Sequence, residues 1–178
     1  ALEDTMDETS RDHMLAVLDR QRRSYLDEGA VDAATRRDRL ERAIGLVKTH
    51  QQRLVEAMSA DFGHRSEHQS LFTDVASSIG PLRHAQKHLE RWMRPEKRKV
   101  GPFPLNLLGA KARIEYQHLG VVGVISPWNF PVNLTFTPLA GVLAAGNRCM
   151  IKPSEYTPAT SAVMAEIFPT AFDETEIA

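Results

Sequence analysis

The sequence predicts an α/β protein, in which an N-terminal helical segment is followed by the first part of a parallel-sheet domain. Apolar residues recur at three- and four-residue spacing almost continuously up to about residue 100, which indicates amphipathic helices. After that point, short apolar runs alternate with helical patterns and with Gly and Pro, as in a β-α-β unit with parallel strands. We therefore expect a helical region at 1–100, a connector with one strand at 101–119, and an incomplete α/β domain at 120–178.

The composition excludes several classes of protein. The chain has 178 residues with 22 basic and 23 acidic side chains, so it is not a strongly basic nucleic-acid-binding protein. Its 42% hydrophobic content is typical of a globular protein, and its apolar runs are too short to span a membrane. The single cysteine, Cys149, excludes an internal disulfide and a multi-cysteine zinc site. The acidic, polar N-terminus lacks the layout of a signal peptide, so we expect a cytoplasmic protein with neither a nucleic-acid nor a membrane partner.

The first two helical stretches have recognisable boundaries. Thr9 or Ser10 is suited to cap the first helix, and Gly29 offers a left-handed residue at its end. A second stretch runs from about 32 to 62. The sequence 49–52 (Thr-His-Gln-Gln) has the pattern of a capping box, which predicts two helices here rather than one.

The third helical stretch begins near Ser66 and should end before Pro95. Gly80 and Pro81 lie inside it, and they predict a kink or a split because proline lacks the N–H that the helix needs. The basic run 91–99 could contact phosphates. We expect an exposed helix end and linker instead, since positive charge also complements a helix C-terminus.

Strand-like patterns follow the connector. Apolar and polar residues alternate over 112–117, which predicts a half-buried strand, and the apolar run 121–125 predicts a strand covered on both faces. The next helix should have Pro138 in its first turn and end at Gly146. A second buried strand at 149–151 would pair in parallel with the first, giving a sheet of two strands.

The last helix has residues typical of a helix start and a helix end at its two boundaries. Thr157 is suited to the N-cap, Pro158 to the first helical position, and Pro169 to the end. In open parallel sheets, ligands bind outside the carboxyl ends of the strands. The loops 126–131 and 152–156 occupy those positions, so we expect the functional residues there.

The second loop carries a candidate pair for a nucleotide sugar. An acidic residue after the second strand of a dinucleotide fold can accept hydrogen bonds from ribose hydroxyls, and Glu155 stands at that place. Lys152 adds a compact positive charge with three donors. The alternative is that both residues only lie at the N-terminus of a helix, where the negative charge of Glu155 would be stabilised by the helix dipole.

The first loop lacks the G-x-G-x-x-G pattern of the usual dinucleotide fingerprint. It carries Trp128 and Asn129 between Pro127 and Pro131, and the two prolines stiffen it. A rigid, neutral amide donor suits an oxyanion site, because such a donor must not reorganise as charge develops. The alternative is that Asn129 caps the loop or the next helix and that Trp128 belongs to the core.

Taken together, these segments resemble the aldehyde dehydrogenase superfamily, and the resemblance extends from about residue 32 to residue 178. It implies a Rossmann-like, NAD(P)-binding fold for 120–178. Two further segments resemble the coniferyl aldehyde dehydrogenase branch more closely. The superfamily motifs are GVVGVISPWNFP at 120–131, PLAGVLAAGN at 138–147 and IKPSE at 151–155, and the branch motifs are FGHRS at 62–66 and RWMRPEKR at 91–98.

The resemblance implies an enzyme that oxidises an aldehyde to the carboxylic acid, with NAD as cofactor and NADP as the alternative. Aromatic aldehydes such as coniferyl aldehyde are the expected substrates, and no metal is expected. Asn129 matches the amide that stabilises the oxyanion formed when a thiolate attacks the aldehyde. The cofactor-binding residues that it implies are Ile125, Ser126, Pro127 and Trp128 beside the nicotinamide, and Lys152, Ser154 and Glu155 at the adenosine ribose.

The catalytic cysteine of the family lies well downstream of the asparagine, and Cys149, in a predicted buried strand, does not match it. We therefore expect this chain to be the front part of an enzyme, inactive alone and stable only within a longer protein or with a partner. The resemblance also implies a homo-oligomer, a dimer or tetramer, joined partly through the strand at 112–119. The alternative is a truncated, non-enzymatic binding or assembly module.

A second alternative is a metallopeptidase. The sequence 64–68 (His-Arg-Ser-Glu-His) fits H-x-x-E-H, in which two histidines four residues apart share one side of a helix. Gly63 immediately before it favours the start of a helix instead of its middle, and no third ligand is evident. We therefore expect these residues to begin a helix and not to bind zinc.

Overall fold

The computed structural model describes residues 11–105 and 107–178. The predicted N-cap at Thr9 or Ser10 lies outside these residues. The N-terminal region is helical, as expected, and Gly29 ends the first helix with a φ of +69°. Its helices are α1 (Arg11–Glu28), α2 (Ala33–Thr49), α3 (Gln51–Asp61), α4 (Glu67–Ser70) and α5 (Ser77–Trp92).

The break between α2 and α3 is confirmed, but it is not made by a capping box. His50 lies at the junction, and it makes no side-chain cap for α3. Its backbone N–H instead continues the ladder of α2 by donating to the Leu46 carbonyl (3.0 Å). The start of α2 is capped by Asp32, whose carboxylate accepts the N–H of Thr35 (2.8 Å).

The predicted split at Gly80–Pro81 is wrong, because α5 continues through Pro81, and the alternative of a kink there stays a prediction. The irregularity lies upstream, where Leu71–Ala76 forms a π-helix between α4 and α5. The hydroxyl of Ser77 donates to the Thr73 carbonyl (2.5 Å) within this wider turn. The whole stretch still ends at Trp92, before Pro95, as predicted.

A small antiparallel hairpin follows, made of β1 (Glu96–Arg98) and β2 (Ala112–Ile114). The expected linker at 91–99 therefore contains a strand. The prediction of a half-buried strand over 112–117 is wrong in both length and burial, because the strand has three residues and all three are exposed. Alternation indicates a strand with two different faces, but only packing against a second layer buries one of them.

The α/β part consists of β3 (Val121–Ile125), α6 (Asn133–Ala144), β4 (Arg148–Lys152) and α7 (Pro158–Ile167). The strands β3 and β4 pair in parallel, with Val121 opposite Arg148 and Ile125 opposite Lys152. This confirms the predicted β-α-β-α order.

The sheet has the two strands that the sequence predicts, and an isolated bridge extends it at the edge of β4. Cys149 pairs in parallel with Ile177, and its N–H donates to the Glu176 carbonyl (2.9 Å). The N–H of Ile151 donates to the carbonyl of Ala178 (2.7 Å). Residues 176–178 therefore add a third parallel segment at the free edge of β4.

Two further predictions about this part are wrong. Pro138 lies inside α6 rather than in its first turn, because the helix already begins at Asn133. The run 121–125 is covered on one face only, since Val124 is buried while Ile125 is 81% exposed. Helix α6 ends at Ala144, and Gly146, with a φ of +82°, follows its C-cap as the expected left-handed residue.

One hydrophobic core joins the helical region to the sheet. On α2, apolar residues at helical spacing face this core, and α2 and α5 both pack on α6. Because the sheet covers its remaining side, α6 is apolar nearly all round. The largest apolar side chains that are fully buried are Phe136, Leu40, Ile44, Leu54, Met58, Leu82, Leu89, Leu139, Leu143, Met164 and Ile167.

A chain of ion pairs attaches α1 and the C-terminal segment to this core. Arg39, which is almost fully buried, binds both Glu28 (2.9 Å) and Glu176 (2.8 Å). Arg42 binds Glu176 through two hydrogen bonds (2.8 and 2.9 Å), and Arg148 binds Glu28 (2.8 Å). Burial alone raises the pKa of the Glu176 carboxyl, but the hydrogen bonds from Arg42 and Arg39 outweigh it and lower that pKa to about 2.

This network predicts a loss of stability at low pH. Because the pKa of Glu176 falls from 4.5 to about 2 on folding, its contribution is present above pH 4.5 and is lost as the pH falls through about 2. We expect Glu176→Gln to lower the free energy of unfolding at neutral pH by about 2 kcal/mol and to flatten its dependence on pH in that window. Denaturant titrations over this pH range measure both effects. Glu90→Gln, which removes an exposed pair with Arg37, is the control and should change little.

Candidate active site

The two loops predicted to carry function leave the same edge of the sheet. Ile125 and Lys152 are register partners at the carboxyl ends of β3 and β4. The next residue, Ser126, donates its N–H to the Lys152 carbonyl (3.0 Å). The structure therefore brings 126–131 and 152–156 side by side, as the sequence predicts for parallel strands.

The first loop presents its predicted residues to solvent. Pro127, Trp128 and Asn129 are exposed, and Trp128 has 53% of its surface accessible, so it is not a core residue. The ring of Trp128 lies 6.4 Å from that of Phe62 at the end of α3. The alternative in which Trp128 is part of the core is therefore wrong.

Asn129 is not the cap of α6. The first N–H groups at this end, those of Val132 and Asn133, donate to the Asp74 carboxylate (3.2 Å each). Desolvation by burial raises the pKa of Asp74, although these two N–H groups and the neighbouring Arg65 act in the opposite direction. Asp74 thus takes the capping role that Asn129 would otherwise fill, and Asn129 stays at the exposed edge.

The hydroxyl of Ser126 points into the protein. Ser126 is buried, and its Oγ lies 2.7 Å from the hydroxyl of Thr135, which also donates to the Pro131 carbonyl (2.6 Å). These contacts bridge the start of the loop to the first turn of α6. They fix the backbone of the loop from both ends.

The two residues predicted to bind the ribose, Lys152 and Glu155, form an ion pair in the second loop. Lys152 Nζ lies 2.5 Å from Glu155 Oε2, and each side chain is about 60% exposed (60% and 59%). The hydrogen bond from Lys152 lowers the pKa of the Glu155 carboxyl, so this group is an anion at neutral pH. Ser154 is buried, and its Oγ accepts the N–H of Tyr156 (3.2 Å), so its hydroxyl stabilises the turn.

An open cleft of about 440 Å³ lies beside the first loop. The sequence predictions did not include it, because its two walls are far apart in the chain. Phe130 from the loop, Phe72 and Thr73 from the π-helix, and Ser77 and Asn133 line it. Aromatic rings with a few polar groups at the margin are suited to a flat, partly polar ligand.

Neither Cys149 nor the H-x-x-E-H sequence provides a reactive centre. Cys149 is completely buried in β4, and desolvation raises the pKa of its thiol to about 12. His64 lies in the turn before α4 with a φ of +76°, and α4 begins at Glu67, as expected for a helix start. Within residues 11–105 and 107–178, no group of three or more potential metal ligands comes together.

Comparison with known proteins agrees with this architecture. The sequence model described as "Aldehyde dehydrogenase family" matches residues 5–175. The chain belongs to the aldehyde dehydrogenase family. Within residues 11–105 and 107–178, no helix is long and apolar enough to cross a membrane.

Curated relatives confirm the resemblance to the coniferyl aldehyde dehydrogenase branch. The chain is 56% identical to "Probable coniferyl aldehyde dehydrogenase" of Caulobacter vibrioides over 91% of its own length and 33% of the relative. It is 49% identical to "Coniferyl aldehyde dehydrogenase" of a Pseudomonas species, with the same coverage of 91% and 33%. This aldehyde dehydrogenase chain thus spans about a third of the length of these relatives.

Solved structures show the same fold. The substrate-bound state of Staphylococcus aureus AldH superposes with a TM-score of 0.84 at 26% identity, over 92% of this chain and 35% of that one. Succinic semialdehyde dehydrogenase of Streptococcus pyogenes in complex with NADP+ superposes with a TM-score of 0.82 at 18% identity, over 97% and 36%. The mixed helix and sheet architecture is therefore that of aldehyde dehydrogenases.

The burial of Cys149 predicts that its thiol is unreactive in the folded protein. With a pKa of about 12, it stays protonated at about pH 8, and solvent does not reach it. We expect iodoacetamide to leave Cys149 unmodified under native conditions and to alkylate it fully in concentrated guanidinium chloride. Mass spectrometry of the peptide that contains Cys149 distinguishes the two states, and rapid native alkylation would contradict the prediction.

Proposed function

We propose that the full-length enzyme carrying this chain oxidises an aldehyde to the carboxylic acid with NAD(P), and that aromatic aldehydes of the coniferyl type are its substrates. The observation that carries the proposal is the pairing of two stiff turns at one sheet edge, one with an exposed carboxamide and the other with an exposed lysine–glutamate pair. The relatives named for coniferyl aldehyde support the substrate class.

In this proposal, Asn129 stabilises negative charge on the substrate. When a cysteine thiolate attacks the aldehyde carbon, the carbonyl oxygen becomes an oxyanion, and a preorganised amide N–H can donate to it. The exposure of Asn129 supports this role, and so does the firm attachment of both ends of its loop. Because Asp74 caps α6, the carboxamide of Asn129 is not needed for the helix.

Lys152 and Glu155 are proposed to hold the adenosine ribose of the cofactor. Glu155 is an exposed anion, and carboxylate oxygens accept hydrogen bonds from the two ribose hydroxyls. Lys152 keeps that anion oriented and can also donate to a hydroxyl or phosphate. Ile125, Ser126, Pro127 and Trp128 are proposed to line the nicotinamide side, Ser126 through its backbone because its hydroxyl points inward. The bound cofactor would supply the hydride acceptor.

NAD is the proposed cofactor and NADP the alternative. A free carboxylate at Glu155 accepts from a 2′-hydroxyl and repels a 2′-phosphate, which favours NAD. The proximity of Lys152 offsets part of that repulsion. A structural relative from Streptococcus pyogenes is described in complex with NADP+, which supports NADP as the alternative.

The cleft between Phe130 and Phe72 is proposed to receive the ring of the substrate. Its lining includes Phe130, the residue that follows Asn129 in the chain, and the aromatic rings of Phe130 and Phe72 suit a planar phenyl ring. Thr73 and Ser77 also line the cleft, and each hydroxyl donates to the backbone carbonyl four residues earlier. These features support an aromatic aldehyde over a short aliphatic one.

The chain by itself is proposed to be inactive, because its single cysteine is buried and has a raised pKa. We also propose a cytoplasmic homo-oligomer. The exposed hairpin supports assembly, since Ile114, Tyr116 and Leu119 present apolar surface there (40%, 68% and 84% exposed). A free, buried cysteine is compatible with a reducing compartment.

Replacement of Asn129 tests the proposed oxyanion role. We expect Asn129→Ala in the full-length enzyme to lower kcat for coniferyl aldehyde about a hundredfold, with the KM for NAD little changed. Gln52→Ala removes an exposed amide that bonds Glu56 on α3, and it serves as the control. Steady-state kinetics measure both variants. An unchanged kcat for Asn129→Ala would contradict the proposal.

Replacement of Glu155 tests the proposed ribose contact. We expect Glu155→Gln to weaken NAD binding about tenfold, because a charged acceptor is replaced by a neutral amide. NADP binding should weaken less, since the repulsion of its phosphate is removed as well. Calorimetric titration of both nucleotides measures the change. Glu166→Gln, which neutralises an exposed carboxylate of α7, should leave both affinities unaltered.

A further inference from the structure

Residues 61–74, here named the bracing segment, contact the first of the two predicted functional loops and the helices that follow both loops. Two carboxylates at its ends cap two different helices. Asp61 accepts the N–H groups of Ala159 (2.9 Å) and Thr160 (2.8 Å) at the start of α7. Asp74 caps α6 in the same way, as described above.

These caps act where the functional loops end. The first N–H groups of a helix have no partner within the helix, so whatever accepts them determines where the helix begins. Helix α6 follows the loop that carries Asn129, and α7 follows the loop that carries Lys152 and Glu155. The predicted N-cap of α7, Thr157, makes no side-chain cap, which leaves this role to Asp61.

Arg65 links the bracing segment to the first loop. Its guanidinium binds Asp74 (2.7 Å) and lies over the rings of Phe62 (5.1 Å) and Phe130 (5.3 Å). Its Nη1 also lies 3.5 Å from the carbonyl oxygen of Asn129. Arg65 and Asp74 have side chains that are 7% and 0% exposed, so this pair is held firmly and shielded from screening by salt.

The π-helix directs Asp74 inward. The Asp74 carbonyl accepts the N–H of Ser77 and the hydroxyl of Ser78, while the carboxylate reaches the start of α6. A π-turn shifts the side chains that follow it relative to an α-helix and is frequent at functional sites. The π-helix thus accompanies the placement of the Asp74 carboxylate at the start of α6.

We propose that Asp74 is a positioning residue for Asn129 and that Asp61 is a positioning residue for the Lys152–Glu155 turn. One segment thereby sets the oxyanion donor and the cofactor clamp through two separate contacts. The inference rests on the proposed function and goes further, because it assigns roles to residues that contact neither substrate nor cofactor. A displacement of about 1 Å at a reacting group is enough to reduce catalysis strongly.

Separate kinetic effects of two variants test this inference in the full-length enzyme. We expect Asp74→Asn to lower kcat about tenfold with the KM for NAD within about twofold of the wild type. We expect Asp61→Asn to raise the KM for NAD about tenfold with kcat within about twofold. Glu67→Gln neutralises an exposed carboxylate within the same segment and is the matched control for both.

A second variant covers the case in which Asp74→Asn does not fold. Arg65→Lys keeps the positive charge beside Asp74 but loses the planar contact with Phe62 and Phe130. We expect it to reduce kcat in the same direction, with the KM for NAD unchanged. If Asp74→Asn or Arg65→Lys changes kcat and the KM for NAD by the same factor, the assignment of separate roles is wrong.

Hydrogen exchange separates failure of this inference from failure of the proposed function, because it needs no activity. Asp74→Asn should increase exchange over 129–134 and leave 156–161 as in the wild type, and Asp61→Asn should do the reverse. Increased exchange in both regions for either variant, or in neither, would overturn the inference. If the wild-type enzyme oxidises no aldehyde but exchange follows the expected pattern, the proposed function is wrong and the positioning contacts stand.

Discussion

The parallel pairing of β3 with β4 is the constraint on which the rest of the structure depends. Parallel strands cannot be joined by a tight turn, so the chain must cross over the sheet, and α6 makes that crossing. A crossing helix buried between the sheet and other helices must be apolar on most sides, and α6 is. The same pairing places both strand ends at one edge, where Asn129 and Glu155 meet solvent.

The helical region supports this edge by more than packing. It supplies the carboxylates of Asp61 and Asp74 to helices whose own first residues provide no cap. A buried ion pair is costly to assemble unless its remaining polar atoms are satisfied. The Asp74 carboxylate is satisfied by two backbone N–H groups and Arg65, whereas the buried Nε of Arg65 has no hydrogen-bond partner among the described residues. What the Arg65–Asp74 pair contributes is a fixed position of the loop that it contacts, because such a pair has few alternative arrangements. A loop attached in this way can keep a hydrogen-bond donor, such as the carboxamide of Asn129, in one position.

Prediction from the sequence succeeded where the signal is local. Gly29 ends a helix because a left-handed residue is needed there, and Pro158 begins one because its φ is already helical. The order of strands and helices in 120–178 and the place of both loops also followed from local pattern. Prediction failed where a residue distant in sequence determines the boundary of an element. Pro138 lies within α6 because Asp74, far away in sequence, stabilises an earlier start of the helix.

The sequence alone determined that the chain is α/β, that the loops 126–131 and 152–156 follow parallel strands, and that it has the motifs of an aldehyde dehydrogenase. These properties depend on residue type and spacing along a few consecutive residues. Only the tertiary structure decided which faces are covered, where a third parallel segment joins the sheet, and which groups hold the loops. Asp74 belongs to no motif of the sequence, and the FGHRS segment that contains Arg65 does not indicate what this side chain contacts. Their role arises from contacts across more than fifty residues, and such contacts exist only once the chain has folded.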